Sequence, residues 1–176
     1  MTNVIAQTAQ QLLKQNWHCI PLKPRGKKPI EAKWQERLIR AEEINQVFTP
    51  DRNIGLLLGE PSDWMVDIDC DTPEAVIAAD YLLPDTGLSF GRESIGKAHL
   101  LYRCLEAQTA KFQDPVENIT ILEVRSTGSQ TMIPPSTHPS GEKVIWMGQG
   151  KPKELANVEL VKAVRLTAAA ALLARH

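Results

Sequence analysis

The sequence lacks several features that would place it in a specialised class of protein. It has three cysteines but no CxxC pair, so neither a structural zinc site nor a disulfide framework is indicated. Its net charge is −1, so no global basic field points to a protein that binds nucleic acid by charge alone. No run of 18 apolar residues exists, and the opening residues are too polar for a signal peptide. We therefore expect a cytoplasmic protein with no membrane partner.

Hydrophobic periodicity and turn-forming residues divide the chain into helices and short strands. The predicted helices cover residues 3–15, 41–48, 73–82 and the end from about 154, and the predicted strands cover residues 18–22, 53–59, 64–71, 86–90, 98–103, 119–125, 130–133 and 143–147. This order predicts an α+β fold, in which a mostly antiparallel sheet carries helices on one face and a site on the other. An N-terminal α/β unit precedes the sheet and a helix ends the chain.

The segment 64–71 (WMVDIDCD) alternates apolar and acidic residues. Side chains of a strand alternate between its faces, so Trp64, Val66 and Ile68 point into a core while Asp67 and Asp69 point to the other face. Two neighbouring carboxylates repel each other unless a cation lies between them, and Mg²⁺ or Mn²⁺ prefers such oxygen ligands. The pattern fits either a divalent metal site or a merely solvated acidic face. Asp71, next to a predicted helix cap, is interpreted as structural.

A second candidate segment combines a histidine strand with the loop before it. His99 lies in a strand that follows a loop rich in glycine and cations, 90–97 (FGRESIGK). Backbone N–H groups and the side chains of Arg92, Ser94 and Lys97 can converge on a phosphate in such a loop. A lone strand histidine is also common as a purely structural residue, so the two interpretations stay open at this point.

Two further segments can place charged or polar side chains on the same face of the sheet. In strand 119–125, Glu123 and Arg125 share a face and form either a surface ion pair or, beside the acidic strand, a metal ligand and a phosphate clamp. In segment 132–141 (MIPPSTHPSG), two prolines end the sheet and stiffen a loop that carries Ser136 and His138. Sequence alone leaves the adjacency of these strands undecided.

Taken in order, these pieces resemble the primase–polymerase (prim-pol) domain of the archaeo-eukaryotic primase superfamily, found in plasmid, phage and mobile-element replication proteins. The resemblance covers nearly the whole chain and has five parts. They are the opening (16–22 and 26–29), the strand 53–59, the Asp67-Ile-Asp69 motif, the His99 strand, and Glu123-Val-Arg125 with the 134–141 loop. The resemblance implies an RRM-like catalytic core, with a prim-pol domain over residues 1–152. The C-terminal helix, 153–176, would then lead into a further domain.

The resemblance also implies residue roles. Asp67, Asp69 and Glu123 would bind two Mg²⁺ or Mn²⁺ ions for attack of a 3′-hydroxyl on a nucleotide's α-phosphate. His99 would be a catalytic residue that holds the nucleotide's phosphates. The side chains implied to assist it in nucleotide binding are Arg92, Ser94, Lys97, Arg125, Ser136 and His138, and those implied to contact single-stranded DNA are Lys23, Arg25, Lys27 and Lys28. A fused or associated helicase is an expected partner, beside the template and nucleoside triphosphates.

The sequence departs from the family pattern at two positions. Lys97 stands where relatives often carry a serine, two residues before the histidine, and Glu123 stands where aspartate is frequent. A lysine can still bind phosphate, and the longer arm of glutamate still reaches a metal. We expect the first change to alter the geometry of phosphate binding and the second to alter the metal preference.

Two other functions remain as alternatives. The first is a non-catalytic, RRM-like module that binds single-stranded nucleic acid, against which the intact acids argue. Trp34, in a polar segment near Lys27, Lys28 and Lys33, is the plausible base-stacking tryptophan of such a module. The second is a metal-dependent nuclease or rolling-circle nickase. A nickase needs paired histidines on one strand and a tyrosine nucleophile, whereas the four histidines are dispersed and both tyrosines lie in apolar settings.

Overall fold

The computed structural model describes residues 2–176 and confirms the α+β fold. The helices are α1 (Val4–Leu13), α2 (Ile44–Val47), α3 (Pro73–Leu82) and α4 (Asn157–Arg175). The strands are β1 (Cys19–Leu22), β2 (Asn53–Leu57), β3 (Met65–Cys70), β4 (Leu88–Arg92), β5 (Gly96–Arg103), β6 (Ala110–Gln113), β7 (Thr120–Arg125), β8 (Gln130–Ile133), β9 (Ile145–Gln149) and β10 (Lys153–Glu154). No helix among these residues is both long and apolar enough to cross a membrane.

The strands form two sheets. The small sheet has the order β1-β2-β8, and the large sheet has the order β6-β7-β3-β5-β4-β9, with β10 added in parallel beside the end of β5. The other pairings are antiparallel. Within the large sheet, β3, β4, β5 and β7 are, in chain order, the four strands of an RRM-like unit. Their order in the sheet is β7-β3-β5-β4, so the fourth strand lies beside the first and the first beside the third.

Each face of the large sheet is covered by a different layer. On one face, Val66, Ile68 and Leu100 pack with α3 and α4 in an apolar core. On the other face, Met65, Leu101 and other apolar residues pack against α1 and the small sheet in a second core. The small sheet covers only part of this second face, so the polar side chains of β3, β5 and β7 lie in a cleft beside it.

Local signals explain where α3 begins. The hydroxyl of Thr72 accepts a hydrogen bond from the N–H of Ala75 at 3.2 Å, and Pro73 occupies the first helical position, where no N–H is needed. The predicted bounds of this helix, 73–82, are confirmed. The helix returns the chain from the end of β3 to the start of β4, and so helps to fix the acidic strand in the middle of the sheet.

Other predicted elements differ in extent. The predicted helix at 41–48 is a 3-10 turn followed by the single turn of α2. The edge strand β6 was not predicted, because the apolar–polar alternation of its four residues (AKFQ) is too short to stand out in the sequence, and the strand is held by pairing with β7. This unpredicted strand contributes Lys111 to the site described below.

Candidate active site

One line of paired residues crosses the polar face of the large sheet. From β6 to β9, the directly paired residues are Lys111, Glu123, Asp69, His99, Phe90 and Trp146. Residues that pair directly across strands share a face, and neighbouring strands lie about 4.8 Å apart. The register therefore places a lysine, two acids and a histidine side by side in that order.

The imidazole of His99 is fixed from two sides. Its Nδ1 lies 3.0 Å from Oδ2 of Asp67 and 3.5 Å from Oδ1 of Asp69, and its ring stacks on Phe90 with the ring centres 4.3 Å apart. Burial alone would lower the pKa of His99, but the charges of Asp67 and Asp69 outweigh it and raise that pKa. In the charged ring, which these carboxylates favour, Nδ1–H donates to Asp67 and Nε2–H is left for a ligand of the cleft.

Three carboxylates gather beside this histidine. One oxygen each from Asp69, Asp71 and Glu123 lies within 4.8 Å of the others. The guanidinium of Arg125 contacts Asp69 at 2.5 Å and Glu123 at 2.8 Å, and Lys111 contacts Glu123 at 3.1 Å. This cluster of three acids, the acid cluster, lies at the edge of the cleft.

The protonation equilibria of the acid cluster show how its charge is compensated. Burial would raise the pKa of Glu123, but the hydrogen bond and charge of Arg125 lower it. Asp71 has no comparable compensation, and loss of water contacts together with the charges of Asp69 and Glu123 raises its pKa to about 6. The acid cluster therefore carries more negative charge than its neighbours neutralise, as a cation site requires.

The donor set fits a hard divalent ion, since oxygen ligands suit Mg²⁺ and Mn²⁺. Sequence reasoning missed Asp71, although period-two alternation places it on the same face as Asp67 and Asp69. Asp67 is fully buried and its carboxylate is engaged by His99. Asp67 as a metal ligand stays a prediction, and binding there would require its carboxylate to exchange His99 for the ion.

A cavity of about 340 Å³ opens next to the acid cluster. Its walls include the following residues singled out from the sequence: Lys27, Asp69, Arg92, Ser94, His99, Arg125 and His138. Arg92 is held by Glu142 at 2.6 Å, and the N–H of Ser94 donates to the same carboxylate at 3.2 Å. Burial and the nearby cations Arg92 and Lys27 lower the pKa of His138. The cavity is therefore rich in groups that suit a polyanion.

A glycine makes the tight hairpin that carries Arg92 and Ser94. A Cβ atom at Gly91 would lie 1.8 Å from the carbonyl oxygen of Gly96, a contact that no side chain can make. The close approach of these two backbones turns the loop over the cavity. A side chain at position 91 would therefore displace the loop.

A shallower depression, the lateral groove, lies on the far side of the acid cluster. It is lined by Trp34, Thr109, Ala110, Lys111, Glu123, Arg125, Gly128, Ser129 and Gln130. Glu123 comes from the acid cluster, and Arg125 and Gln130 also line the cavity. The cavity and the lateral groove therefore adjoin at the acid cluster and Arg125.

Some residues implied in nucleotide or DNA binding lie elsewhere. Lys97 does not line the cavity, and its ammonium contacts Asp80 of α3 at 2.7 Å. Ser136 is fully buried, where its hydroxyl accepts from the N–H of Ile54 and donates to the carbonyl of the same residue. The remaining implied DNA contacts, Lys23, Arg25 and Lys28, are exposed on the loop that carries Lys27. Their roles stay predictions.

Asn53 holds two walls of the cavity together and was also missed from the sequence. Its side-chain amide donates to the carbonyls of Gly26 at 3.0 Å and Thr137 at 2.7 Å, and its oxygen accepts from the N–H of Thr137 at 2.9 Å. The loop with Lys27 is thus tied to the loop with His138. A single buried amide in β2 thereby sets the spacing of the loops that carry Lys27 and His138.

Comparison with known families finds one family model that covers most of the chain. A family model described as "Bifunctional DNA primase/polymerase, N-terminal" (Prim-Pol) matches residues 9–158. The matched range contains the acid cluster, His99 and the cavity residues from Lys27 to His138. No curated protein matches the chain significantly.

Proposed function

The chain belongs to the Prim-Pol family of bifunctional DNA primase/polymerases, and we propose that it catalyses template-directed nucleotidyl transfer from a nucleoside triphosphate to a 3′-hydroxyl on a single-stranded DNA template. The observation that carries the proposal is the acid cluster beside a cavity lined by cations. Replication of a plasmid, phage or other mobile element is the proposed setting, and a helicase partner stays a prediction.

The cavity is the proposed site of the triphosphate. Lys27, Arg92 and His138 approach it from three separate segments of the chain, so they can contact different oxygens of one polyphosphate. His99 lines the same cavity and pairs in register with Asp69 of the acid cluster. Despite its burial, the charges of Asp67 and Asp69 raise its pKa and so favour the charged ring, in which Nε2–H can donate to a phosphate oxygen while Nδ1–H donates to Asp67. Asp67 is then a positioning residue for His99.

The acid cluster is the proposed site of divalent ions. Asp69, Asp71 and Glu123 would hold them, with Asp67 as a further predicted ligand. Two bound Mg²⁺ or Mn²⁺ ions would stabilise charge on the attacking and leaving oxygens of the displacement. Arg125 contacts Asp69 and Glu123 in the structure, and release of this guanidinium would free it for the phosphates of a bound nucleotide.

The reaction that this arrangement supports is an in-line substitution at the α-phosphorus. The 3′-oxygen forms the new P–O bond, the bond from the α-phosphorus to the bridging oxygen breaks, and pyrophosphate leaves toward Lys27, Arg92 and His138. The hydroxyl proton passes to water. The protein contributes by holding the triphosphate in one orientation and by neutralising its negative charge.

A primer-extension assay tests the proposal. The protein is incubated with a labelled primer on a single-stranded template, with all four deoxynucleotides or all four ribonucleotides, and with Mn²⁺ or Mg²⁺. We expect extension by the wild type and none by the double variant Asp67→Ala with Asp69→Ala. A parallel reaction without primer tests synthesis from nucleotides alone.

The same assay separates the catalytic proposal from the alternative of a non-catalytic binding module. Failure of the wild type to extend a primer with either metal, together with retained binding to single-stranded DNA, would favour the binding module. Equal extension by the wild type and the double variant would show that the product comes from a contaminating polymerase. Either result would reject the catalytic proposal.

A further inference from the structure

The lateral groove meets the acid cluster from the side opposite the cavity, and the catalytic proposal gives it no role. Trp34, which stood out in the sequence as a base-stacking candidate, lines this groove together with Lys111. We propose that the lateral groove binds the 3′-terminal nucleotide of the primer strand, with Trp34 beneath its base and Lys111 beside its phosphate. This inference rests on the proposed function and adds the position of the second substrate.

The order of residues across the sheet gives the direction of attack. The register line runs from Lys111 through Glu123 and Asp69 to His99, so the acids lie between the lateral groove and the cavity. In an in-line displacement the attacking and leaving oxygens lie on opposite sides of the phosphorus. Because the groups that suit the leaving pyrophosphate line the cavity, the attacking hydroxyl must enter from the lateral groove.

The charges of the two depressions support the same assignment. The cavity offers the cations Lys27, Arg92 and Arg125 and the imidazoles of His99 and His138, a set suited to a triphosphate although Arg92 pairs with Glu142 and Arg125 with Asp69 and Glu123. The cations that line the lateral groove are Lys111 and Arg125, and each forms an ion pair with Glu123. That modest charge suits the single phosphate that links the last two nucleotides of a strand.

The lateral groove combines a fixed aromatic surface with an open wall, as a stacked base requires. Trp34 is half-buried because its indole packs on the core formed with α1 and the small sheet, so the exposed part of the ring is held in place. On the other wall, a Cβ atom at Gly128 would meet no atom within 4 Å, so this wall is open. An aromatic face accepts any base, as extension along an arbitrary template requires.

Binding without turnover tests the inference. The primer carries 2-aminopurine at its 3′ end, whose fluorescence falls when the base stacks, and a second primer carries it five nucleotides upstream. We expect the wild type to quench the terminal probe more than the upstream one, Trp34→Phe to retain this difference, and Trp34→Leu to lose it. Loss of one stacking contact should weaken primer–template binding by about tenfold.

Lysine variants provide an independent arm in case Trp34→Leu does not fold. Lys111→Ala should weaken primer–template binding and reduce the slope of log affinity against log salt by about one unit, as expected for one lost phosphate contact. Lys162→Ala is the matched control, because Lys162 is an exposed lysine on α4, which packs on the opposite face of the sheet. Lys162→Ala should change neither value.

The kinetic readout distinguishes the lateral groove from the cavity. In extension assays, Trp34→Leu and Lys111→Ala should raise the KM for primer–template and leave the KM for the nucleotide within about twofold. Quenching that persists in Trp34→Leu, or a Lys111→Ala protein with the wild-type salt slope, would overturn the inference. If the wild type binds the primer but never extends it, the proposed function fails while the fluorescence and salt measurements still decide the location of the 3′ end.

Discussion

Two clusters in this molecule place several acids around one arginine, and they differ in what surrounds the acids. In the acid cluster of the candidate site, Arg125 contacts Asp69 and Glu123, while Asp71 keeps a raised pKa at the edge of an open cavity. At the end of α4, Arg175 reaches three acids at once. They are Asp114 at 3.2 Å, Glu74 at 2.9 Å and Glu117. We call this second group the α4 cluster.

The central acid of the α4 cluster is fully satisfied. Asp114 has no exposed surface and accepts hydrogen bonds from the N–H groups of Val116 and Glu117 as well as from Arg175. These bonds lower its pKa although burial opposes the charge. A group of acids is thus a candidate metal site when its negative charge is incompletely compensated and it borders open space. It is a structural link when hydrogen-bond donors from the protein satisfy its carboxylate oxygens.

The largest expected difference between the two clusters is in catalysis. Asp71→Asn removes one of the proposed ligand charges, and stabilisation worth several kcal/mol should be lost from the transition state, so primer extension should fall by about two orders of magnitude or more. Asp114→Asn should leave the extension rate per folded molecule unchanged. Both rates are measured with saturating primer, nucleotide and Mn²⁺.

A full rate for Asp71→Asn would remove Asp71 from the proposed metal ligands and favour the set predicted from the sequence, with Asp67 in its place. The comparison between the clusters would then rest on Asp69 and Glu123. A loss in Asp114→Asn that exceeds its loss of folded protein would show that the α4 cluster takes part in function.

The next largest difference concerns stability in the presence of metal. Arg125→Met and Arg175→Met each leave acids without their cation, so both should lower Tm by several degrees in EDTA. Mn²⁺ binds the folded state and should restore most of the loss in Arg125→Met, because the ion replaces the missing positive charge. It should raise the Tm of Arg175→Met only by the increment seen in the wild type.

Thermal unfolding with and without 1 mM Mn²⁺, a concentration of the order used to saturate weak divalent sites, measures this contrast. KCl at the same ionic strength, in place of the Mn²⁺ salt, controls for general ionic effects. Equal rescue of both variants, or rescue of neither, would contradict the distinction between a cation site and a structural cluster.

The two clusters also show what the sequence could and could not predict. Period-two alternation placed Asp67 and Asp69 on one face, and the Thr72-Pro73 pair located the start of α3, because both signals act within a few residues. Alternation would have included Asp71 as well, but its position beside the helix cap favoured a structural interpretation. The family resemblance supplied the order of the motifs, and the family match over residues 9–158 confirms the family.

The remaining features depend on contacts between distant segments. The pairing of Asp69 with Glu123 joins strands more than 50 residues apart, and no local pattern encodes that register. Lys97 stands at the start of β5, and its long side chain extends to Asp80 of α3. Its ammonium group therefore does not lie at the predicted phosphate site. Asn53 and Ser136 bond to backbone groups of other segments, so their burial follows from the assembled fold.

The smallest expected difference is in the pH dependence of stability, and the two clusters should respond with opposite signs. The folded-state pKa of Asp114 is lowered, so its stabilising effect is present above the unfolded pKa of about 3.9 and is lost as the pH falls toward the folded value. Asp114→Asn should therefore be less stable than the wild type at pH 6, and the gap should narrow below pH 4.

Asp71 should behave in the reverse way. Its folded-state pKa is raised to about 6, so folding disfavours the carboxylate and the cost is present above pH 6 and absent below the unfolded pKa. In EDTA at pH 8, Asp71→Asn should be more stable than the wild type by about 1 kcal/mol once partial exposure of the side chain is allowed for. At pH 4 the two proteins should be alike. Urea unfolding of the wild type and both variants at pH 4, 6 and 8 measures the sign of each stability difference. If Asp71→Asn is less stable than the wild type at pH 8, the charge of the Asp71 carboxylate is already compensated without metal.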